Sequence, residues 1–133
     1  MRRVDYKKYR SRILPYIERA AIKNKHDFSA SVDSALLSGR AFLFVNGDGF
    51  VALEPYDGDK VNIAFAYSFS TGCTSRYQPE IERLSRLIGA KVLTFDTALS
   101  GSFGTLVESL GYKKAAQKDN VVTYAKELIS GRK

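Results

Sequence analysis

Residues 61–89 read VNIAFAYSFSTGCTSRYQPEIERLSRLIG, a pattern that predicts a strand, a short loop and a helix. The loop is rich in Gly, Ser and Thr, and the helix carries an apolar stripe that ends at Gly89. A strand, a small-residue loop and a helix in this order aim backbone N–H groups at an anion. We therefore expect an anion-binding turn in the middle of the chain.

The predicted strand, Lys60 to Ser68, has one face of large side chains and one of small side chains. Strict alternation assigns the large face Val61, Ile63, Phe65 and Tyr67, and the small face Asn62, Ala64, Ala66 and Ser68. Room is therefore expected against one side of this strand. The helix that follows is expected to begin at Pro79, because proline suits a first helical turn, where its missing N–H has no partner.

Patterns on both sides extend this unit to the order ααβββαβαββ. Two short helices come first: the firm part of one begins near Leu14, because Pro15 is tolerated only in a first turn, and Asp27 or Ser29 caps the other. An Asn-Gly-Asp-Gly turn then joins residues 41–45 and 50–54 as a hairpin that leads into the strand at Lys60. The closing segments are a strand over 91–95, a helix around Leu106, Val107 and Leu110, and strands over 112–116 and 121–128.

This order predicts the α+β class, with an antiparallel sheet that contains one central parallel pair and has helices on its faces. The parallel pair is 60–68 with 91–95, because the helix between them has the length of a crossover connection. We expect one domain over residues 1–133, which includes a basic N-terminal arm of about residues 1–12.

Composition bears on the cellular location. The chain has 133 residues, of which 44% are hydrophobic, and no apolar run is long enough to cross a bilayer. Charges interrupt the N-terminal stretch YKKYRSRILPY, so no signal peptide is expected. Cys73 is the single cysteine, which excludes an internal disulfide. These features favour the cytoplasm and no contact with a membrane.

The net charge of +7 is concentrated at one end of the chain. Met1–Lys25 holds nine Lys and Arg side chains against Asp5 and Glu18, whereas the remaining charges balance. Tyrosines 6, 9 and 16 are interleaved with these cations. This segment predicts contact with a nucleic acid or an acidic protein; the alternative is a solvated helix face whose tyrosines pack inward.

The element order, with LVESLGYKKAAQ and VVTYAKEL near the end, resembles the GNAT superfamily of N-acetyltransferases over nearly the whole chain. In that family the loop and the helix N-terminus bind the pyrophosphate of acetyl-CoA, and the strand edge pairs with the pantetheine arm. Such enzymes commonly move the acetyl group directly to an amine. The resemblance implies acetyl-CoA or CoA as cofactor, and a small-molecule or protein amine as acceptor.

The resemblance also implies which residues touch the cofactor. The family loop Gln/Arg-x-x-Gly-x-Gly/Ala falls on residues 69–74, where Gly72 matches and Phe69 and Thr74 depart from the pattern. The implied contacts come from the strand end, the loop and the helix start: Ala66, Tyr67, Ser68, Ser70, Thr71, Gly72, Cys73, Thr74, Ser75 and Arg76.

The family tyrosine that protonates the departing thiolate falls on Val107, which cannot donate a proton. Tyr67, Tyr112 and Tyr124 are candidate substitutes, and Val107 itself is either beside the cofactor sulfur or plain core packing. Glu54, at a strand end, is the candidate base for the amine, and the alternative for it is an exposed strand-end charge.

Cys73 and His26 carry the reactive side chains that could serve as a nucleophile or as metal ligands. Cys73 could act as a nucleophile at a helix N-terminus, but the only histidine, His26, is far away in sequence, so a loop filler is the preferred interpretation. One His and one Cys cannot supply the three or four protein ligands of a zinc site, so no metal is predicted.

Three functions are compatible with these observations. The first is acetyl-CoA-dependent N-acyl transfer. The second is a catalytically silent relative, such as a small virus-encoded form, that binds a protein partner. The third is nucleic-acid binding through Met1–Lys25, which is compatible with either of the others.

Overall fold

The computed structural model describes residues 2–23, 28–47, 49–68, 73–97, 102–119 and 121–128. The elements in these ranges are, in chain order, β1 (Arg2–Val4), α1 (Tyr6–Lys23), α2 (Ser29–Ser38), β2 (Phe42–Asn46), β3 (Gly49–Tyr56), β4 (Lys60–Ser68), α3 (Cys73–Leu87), β5 (Val92–Thr97), α4 (Ser102–Ser109), β6 (Lys113–Lys118) and β7 (Val121–Glu127). Within these ranges the strands form one sheet in the order β1-β2-β3-β4-β5-β7-β6. Its paired neighbours are antiparallel except β4 and β5, which are parallel. The predicted α+β class and the parallel pair are confirmed.

Helices cover both faces of the sheet, each over its own apolar layer. The layer under α3 and α4 includes Phe44, Val51, Leu53, Val61, Ile81, Leu84, Leu93, Val107, Tyr112 and Tyr124. The layer under α1 and α2 includes Tyr6, Ile13, Ile17, Val32, Leu36, Leu43, Ala52 and Phe65. None of the helices in the described ranges combines the length and apolar character that a membrane crossing requires.

The N-terminal segment is more ordered than the sequence predicts. Arg2–Val4 pairs with β2 at the sheet edge, and α1 begins at Tyr6 rather than near Leu14. Asp5 supplies the missed start signal, since its carboxylate accepts a hydrogen bond from the backbone N–H of Lys7. Pro15 lies inside the helix on its exposed side, where water can satisfy the carbonyl that proline leaves without a donor.

Helices α2 and α3 also begin differently from the prediction. Helix α3 begins at Cys73 instead of Pro79, which lies inside it and is exposed, so the proline argument applies again. Phe28 occupies the N-cap of α2 without a side-chain cap, whereas Asp27 lies outside the described residues. Gly39 ends α2 in the left-handed conformation with φ of 81°.

Strand β4 contains a bulge that the alternation pattern did not reveal. Ala52 of β3 pairs with Phe65, but its neighbour Leu53 pairs with Ile63, so Ala64 is an extra residue. An extra residue moves every following side chain to the opposite face. Ile63 therefore packs in the α3 layer and Phe65 in the α1 layer, and the predicted single large face is wrong.

Candidate functional site

The two parallel strands separate at their C-terminal ends. β4 and β5 pair only at Lys60, Val61 and Asn62, opposite Val92, Leu93 and Thr94. Beyond that point β4 stays paired with β3 as far as Ser68, and β5 with β7 as far as Thr97. Within the described residues, the β5-facing edge of β4 therefore has no strand partner after Asn62. A ligand that lies along this edge can pair with the strand backbone, as an added strand would.

The first turn of α3 belongs to this same end of the sheet. β4 ends at Ser68 and α3 begins at Cys73, so a connection of only four residues joins the strand end to the helix. The first N–H groups of a helix have no partner inside it and favour an anion. Of the predicted contacts, Cys73–Arg76 form this first turn, and Ala66, Tyr67 and Ser68 end β4. Ser70, Thr71 and Gly72 lie outside the described residues.

The bulge makes room beside the open edge. Ala66 pairs in register with Val51, whose side chain lies in the α3 layer, so the two residues share that face. Val51 is buried, whereas Ala66 is exposed although it lies well inside the sheet. A regular strand would have placed a bulky residue on this face. The bulge thus leaves space on the α3 side of the gap between the separated ends of β4 and β5, which is called the opening below.

A polar row crosses the closed end of the opening on the opposite face. Glu54 pairs in register with Asn62, and Asn62 with Thr94, so these side chains share the face that α1 covers further along β4. The Thr94 hydroxyl donates to Asn62 Oδ1 over 3.1 Å. Because that proton is used, the Tyr56 hydroxyl must donate to Thr94 Oγ1 across 2.9 Å. Thr94 is only 5% exposed, whereas Glu54 is partly accessible.

The candidate acids Tyr112 and Tyr124 lie on the α3 side, in the core. The ring of Phe95, the first β5 residue beyond the last pair with β4, meets Tyr112 edge-on at 5.0 Å and stacks with Tyr124 at 5.5 Å. Burial raises the pKa of Tyr112 to about 12, so its phenol is protonated at neutral pH. Its hydroxyl accepts a hydrogen bond from Gln78 Nε2 at 3.0 Å.

The sequence reasoning missed a partly buried polar network that contacts the Tyr112 hydroxyl. Gln78 also donates to Glu82 Oε2 at 2.9 Å, and Lys126 Nζ donates to the same oxygen at 2.7 Å. Lys126 makes a further 2.7 Å hydrogen bond to the carbonyl of Leu110. The spacing of Gln78 and Glu82 on one helix face was a visible signal. Lys126 is 44 residues from Glu82, and no local pattern links them.

Val107 is a core residue of α4. It is 2% exposed and belongs to the apolar layer under α3 and α4. Its neighbour Leu106 is 38% exposed. Of the two predicted roles for Val107, this burial favours plain packing.

Replacing Val107 with tyrosine should destabilise the protein without accelerating any acetyl transfer. The larger ring overfills a packed site, which costs about 1–3 kcal/mol in the free energy of unfolding. Leu106→Tyr is the matched control, because the same side chain at an exposed position of the same helix should change stability by less than about 0.5 kcal/mol. Urea unfolding measures both effects. A stable Val107→Tyr variant with faster acetyl transfer would contradict the packing role.

Acetyltransferases are among the solved structures that resemble this chain. An acetyltransferase from Streptococcus agalactiae has a TM-score of 0.64 and 14% identity, with 89% of this chain and 90% of that chain covered. The aminoglycoside 6'-N-acetyltransferase from Enterococcus faecium has a TM-score of 0.63 and 15% identity, with 91% of each chain covered. A GNAT family acetyltransferase from Elizabethkingia anophelis with acetyl-CoA bound has a TM-score of 0.59 and 15% identity, with 74% of this chain and 82% of that chain covered.

Comparison by sequence finds no such relatives. No family model matches the chain, and no curated protein matches it. The likeness therefore lies in the arrangement of helices and strands, which was also the basis of the sequence resemblance. Together, the element order, the central parallel pair and these structural neighbours show that the chain has the GNAT fold.

Proposed function

We propose that this protein is an N-acetyltransferase that transfers the acetyl group of acetyl-CoA directly to an amine. The observation that carries the proposal is the open edge of β4 beside exposed Ala66, with the first turn of α3 at the same end. The GNAT neighbour with acetyl-CoA bound supports the same ligand. Acetyltransferases among the neighbours also favour transfer over a silent binding domain, although fold alone does not set function.

The residues present fit the cofactor that we propose. The backbone along the β5-facing edge of β4 would pair with the amide-bearing pantetheine arm, and the small side chain of Ala66 leaves space beside that edge. N–H groups at the start of α3 would hold the pyrophosphate. Ser70, Thr71 and Gly72 would complete the phosphate contacts. The bound thioester would supply an activated acetyl group.

Glu54 is the proposed base for the acceptor. Its row with Asn62 lies where β4 and β5 meet, on the face opposite α3. An amine that reaches the opening from this face would lose its proton to the carboxylate as nitrogen bonds to the acetyl carbon. The Tyr56 hydroxyl oxygen and the Asn62 amide oxygen would accept hydrogen bonds from the acceptor amine and help to orient it. This arrangement favours a primary amine that carries little negative charge.

The absence of the family tyrosine at position 107 is compatible with this chemistry. A free thiol ionises near pH 8.5, so sulfur departs as a moderately stable thiolate and needs no strong acid beside it. Tyr112 and Tyr124 remain the proposed alternatives as proton donors, although both are mostly buried, at 3% and 8% exposure.

Coenzyme A binding tests the proposal directly. Calorimetry with CoA and acetyl-CoA should give micromolar dissociation constants, and ligand at 100 times that concentration should add about 2.7 kcal/mol to the free energy of unfolding. Ala66→Trp should weaken binding at least tenfold, because the indole would fill the space beside the β4 edge. Ala116→Trp, at an exposed position of β6, is the matched control and should bind CoA normally. No binding at millimolar CoA would overturn the proposal.

A further inference from the structure

Helix α1 carries a line of three cations that the transfer reaction does not use. Lys8, Arg12 and Arg19 are exposed and are four and seven residues apart. At 100° per residue they fall within about 40° of one another around the helix axis. Glu18, the only acidic residue within α1, is about 100° away from Arg19 on the same axis. These three residues are called the cationic stripe below.

Neighbouring groups do not neutralise the stripe. Within the described ranges no ion pair involves any of its three members. Arg10, two residues from Lys8 and Arg12 and therefore on the opposite side of the helix, is instead bound by Asp33 of α2, with hydrogen bonds of 2.8 and 2.9 Å to its two carboxylate oxygens. The same carboxylate accepts a 2.6 Å hydrogen bond from buried Tyr6. The hydrogen bonds of Arg10 and Tyr6 to Asp33 hold α1 against α2. The stripe, on the other side of α1, faces solvent.

Two half-buried tyrosines border the stripe. Tyr9 and Tyr16 pack against the α1 layer, and the Arg19 guanidinium lies 5.4 Å from the centre of the Tyr16 ring. At a rise of 1.5 Å per residue, Lys8 and Arg19 are about 16 Å apart along the axis. That length is enough for the stripe to lie beside several phosphates of one nucleic-acid strand. The border of aromatic rings is the combination found where single strands bind.

The surroundings argue against an acidic protein as the partner. Protein interfaces depend on a desolvated centre with apolar and aromatic anchors. Among the large apolar side chains that are exposed in the described part of the chain, Ile22 alone lies on α1, in its last turn. Phosphate contacts, in contrast, sustain binding without an apolar centre. We propose that the cationic stripe binds the phosphate backbone of single-stranded nucleic acid, independently of base sequence.

The test compares two variants of equal charge. The stripe variant changes Lys8, Arg12 and Arg19 to Gln, and the control variant changes Lys113, Lys114 and Lys118 of the exposed edge strand β6 to Gln. Both reduce the net charge of +7 by three, so a difference between them reflects position rather than total charge. Fluorescence anisotropy with a labelled 20-nucleotide oligothymidylate, from 50 to 200 mM salt, gives the affinity and its salt dependence.

The stripe variant should lose at least about tenfold in affinity at 100 mM salt, and its salt slope should fall by about 2, as expected for three lost phosphate contacts. The control should change less than threefold. Equal losses in both variants, no binding by the unchanged protein at 50 mM salt, or equally tight binding of polyglutamate would overturn the proposal. Single variants Lys8→Gln and Arg12→Gln, each expected to remove about 0.7 of slope, replace the triple variant if its melting temperature falls.

Discussion

Glu54→Gln should slow acetyl transfer to primary amines by at least about 100-fold in kcat/KM. Glutamine keeps the size and the hydrogen-bonding reach of the side chain but cannot accept the amine proton, and a positioned base contributes about 100- to 10,000-fold. Glu54 is partly exposed and pairs in register with Asn62, so the strand should tolerate the change. Steady-state kinetics over a panel of amines measures the loss.

The control is Glu108→Gln, which removes an exposed carboxylate from α4, outside the opening. It should retain full activity, and both variants should bind CoA as the unchanged protein does. Normal CoA affinity with lost turnover assigns the defect to the acceptor side. In the structure β3 continues to Tyr56 and Glu54 is half-buried, so it is not the exposed strand-end charge of the alternative interpretation. Unchanged turnover in Glu54→Gln would leave Glu54 with a structural role in β3 and require another base.

Lys126→Met should lower the free energy of unfolding by about 3 kcal/mol at pH 7. Methionine keeps the apolar stem but removes the ammonium that binds Glu82 and the Leu110 carbonyl, each at 2.7 Å. The Lys126 and Glu82 side chains are 23% and 13% exposed. Removing one partner of a fully buried ion pair costs about 3–5 kcal/mol, so the lower end of that range applies to this partly buried pair. The Lys126 stem packs closely over Gly111, which has a φ of 98°. A Cβ added at Gly111 would lie only 2.9 Å from Lys126 Cε, so the glycine makes room for the stem.

Urea unfolding measures this loss, with Lys118→Met on the exposed strand β6 as the control for loss of a lysine charge. Burial acts to raise the pKa of Glu82, but the hydrogen bonds from Lys126 and Gln78 outweigh it, so the pKa lies below its ordinary value. Stability from a carboxylate with a lowered pKa is present above its unfolded pKa of about 4.3 and is lost as the pH falls. The difference between Lys126→Met and the unchanged protein should therefore narrow below about pH 4. A difference below about 0.5 kcal/mol at pH 7 would contradict the role of the pair.

The sequence alone determined the order of the elements that hold the site. The Asn-Gly-Asp-Gly turn, the alternation around β4 and the helical stripe before Gly89 are local signals, because each depends on residues within one or two turns or on one strand. These signals place a helix between β4 and β5 that is long enough for a crossover connection. The parallel pairing of the two strands could therefore be predicted, and the structure contains it. The start of α1 was misplaced because Pro15 outweighed the cap at Asp5.

Only the tertiary structure determined the contacts that give the opening its shape. The extra residue Ala64 exists only relative to β3, so no pattern within β4 could show that Ala66 turns toward α3. Burial of Val107 and the pairing of Lys126 with Glu82 likewise depend on segments far apart in sequence. Periodicity reports which residues share a face of one element, whereas register and long-range contacts are set when the elements pack together.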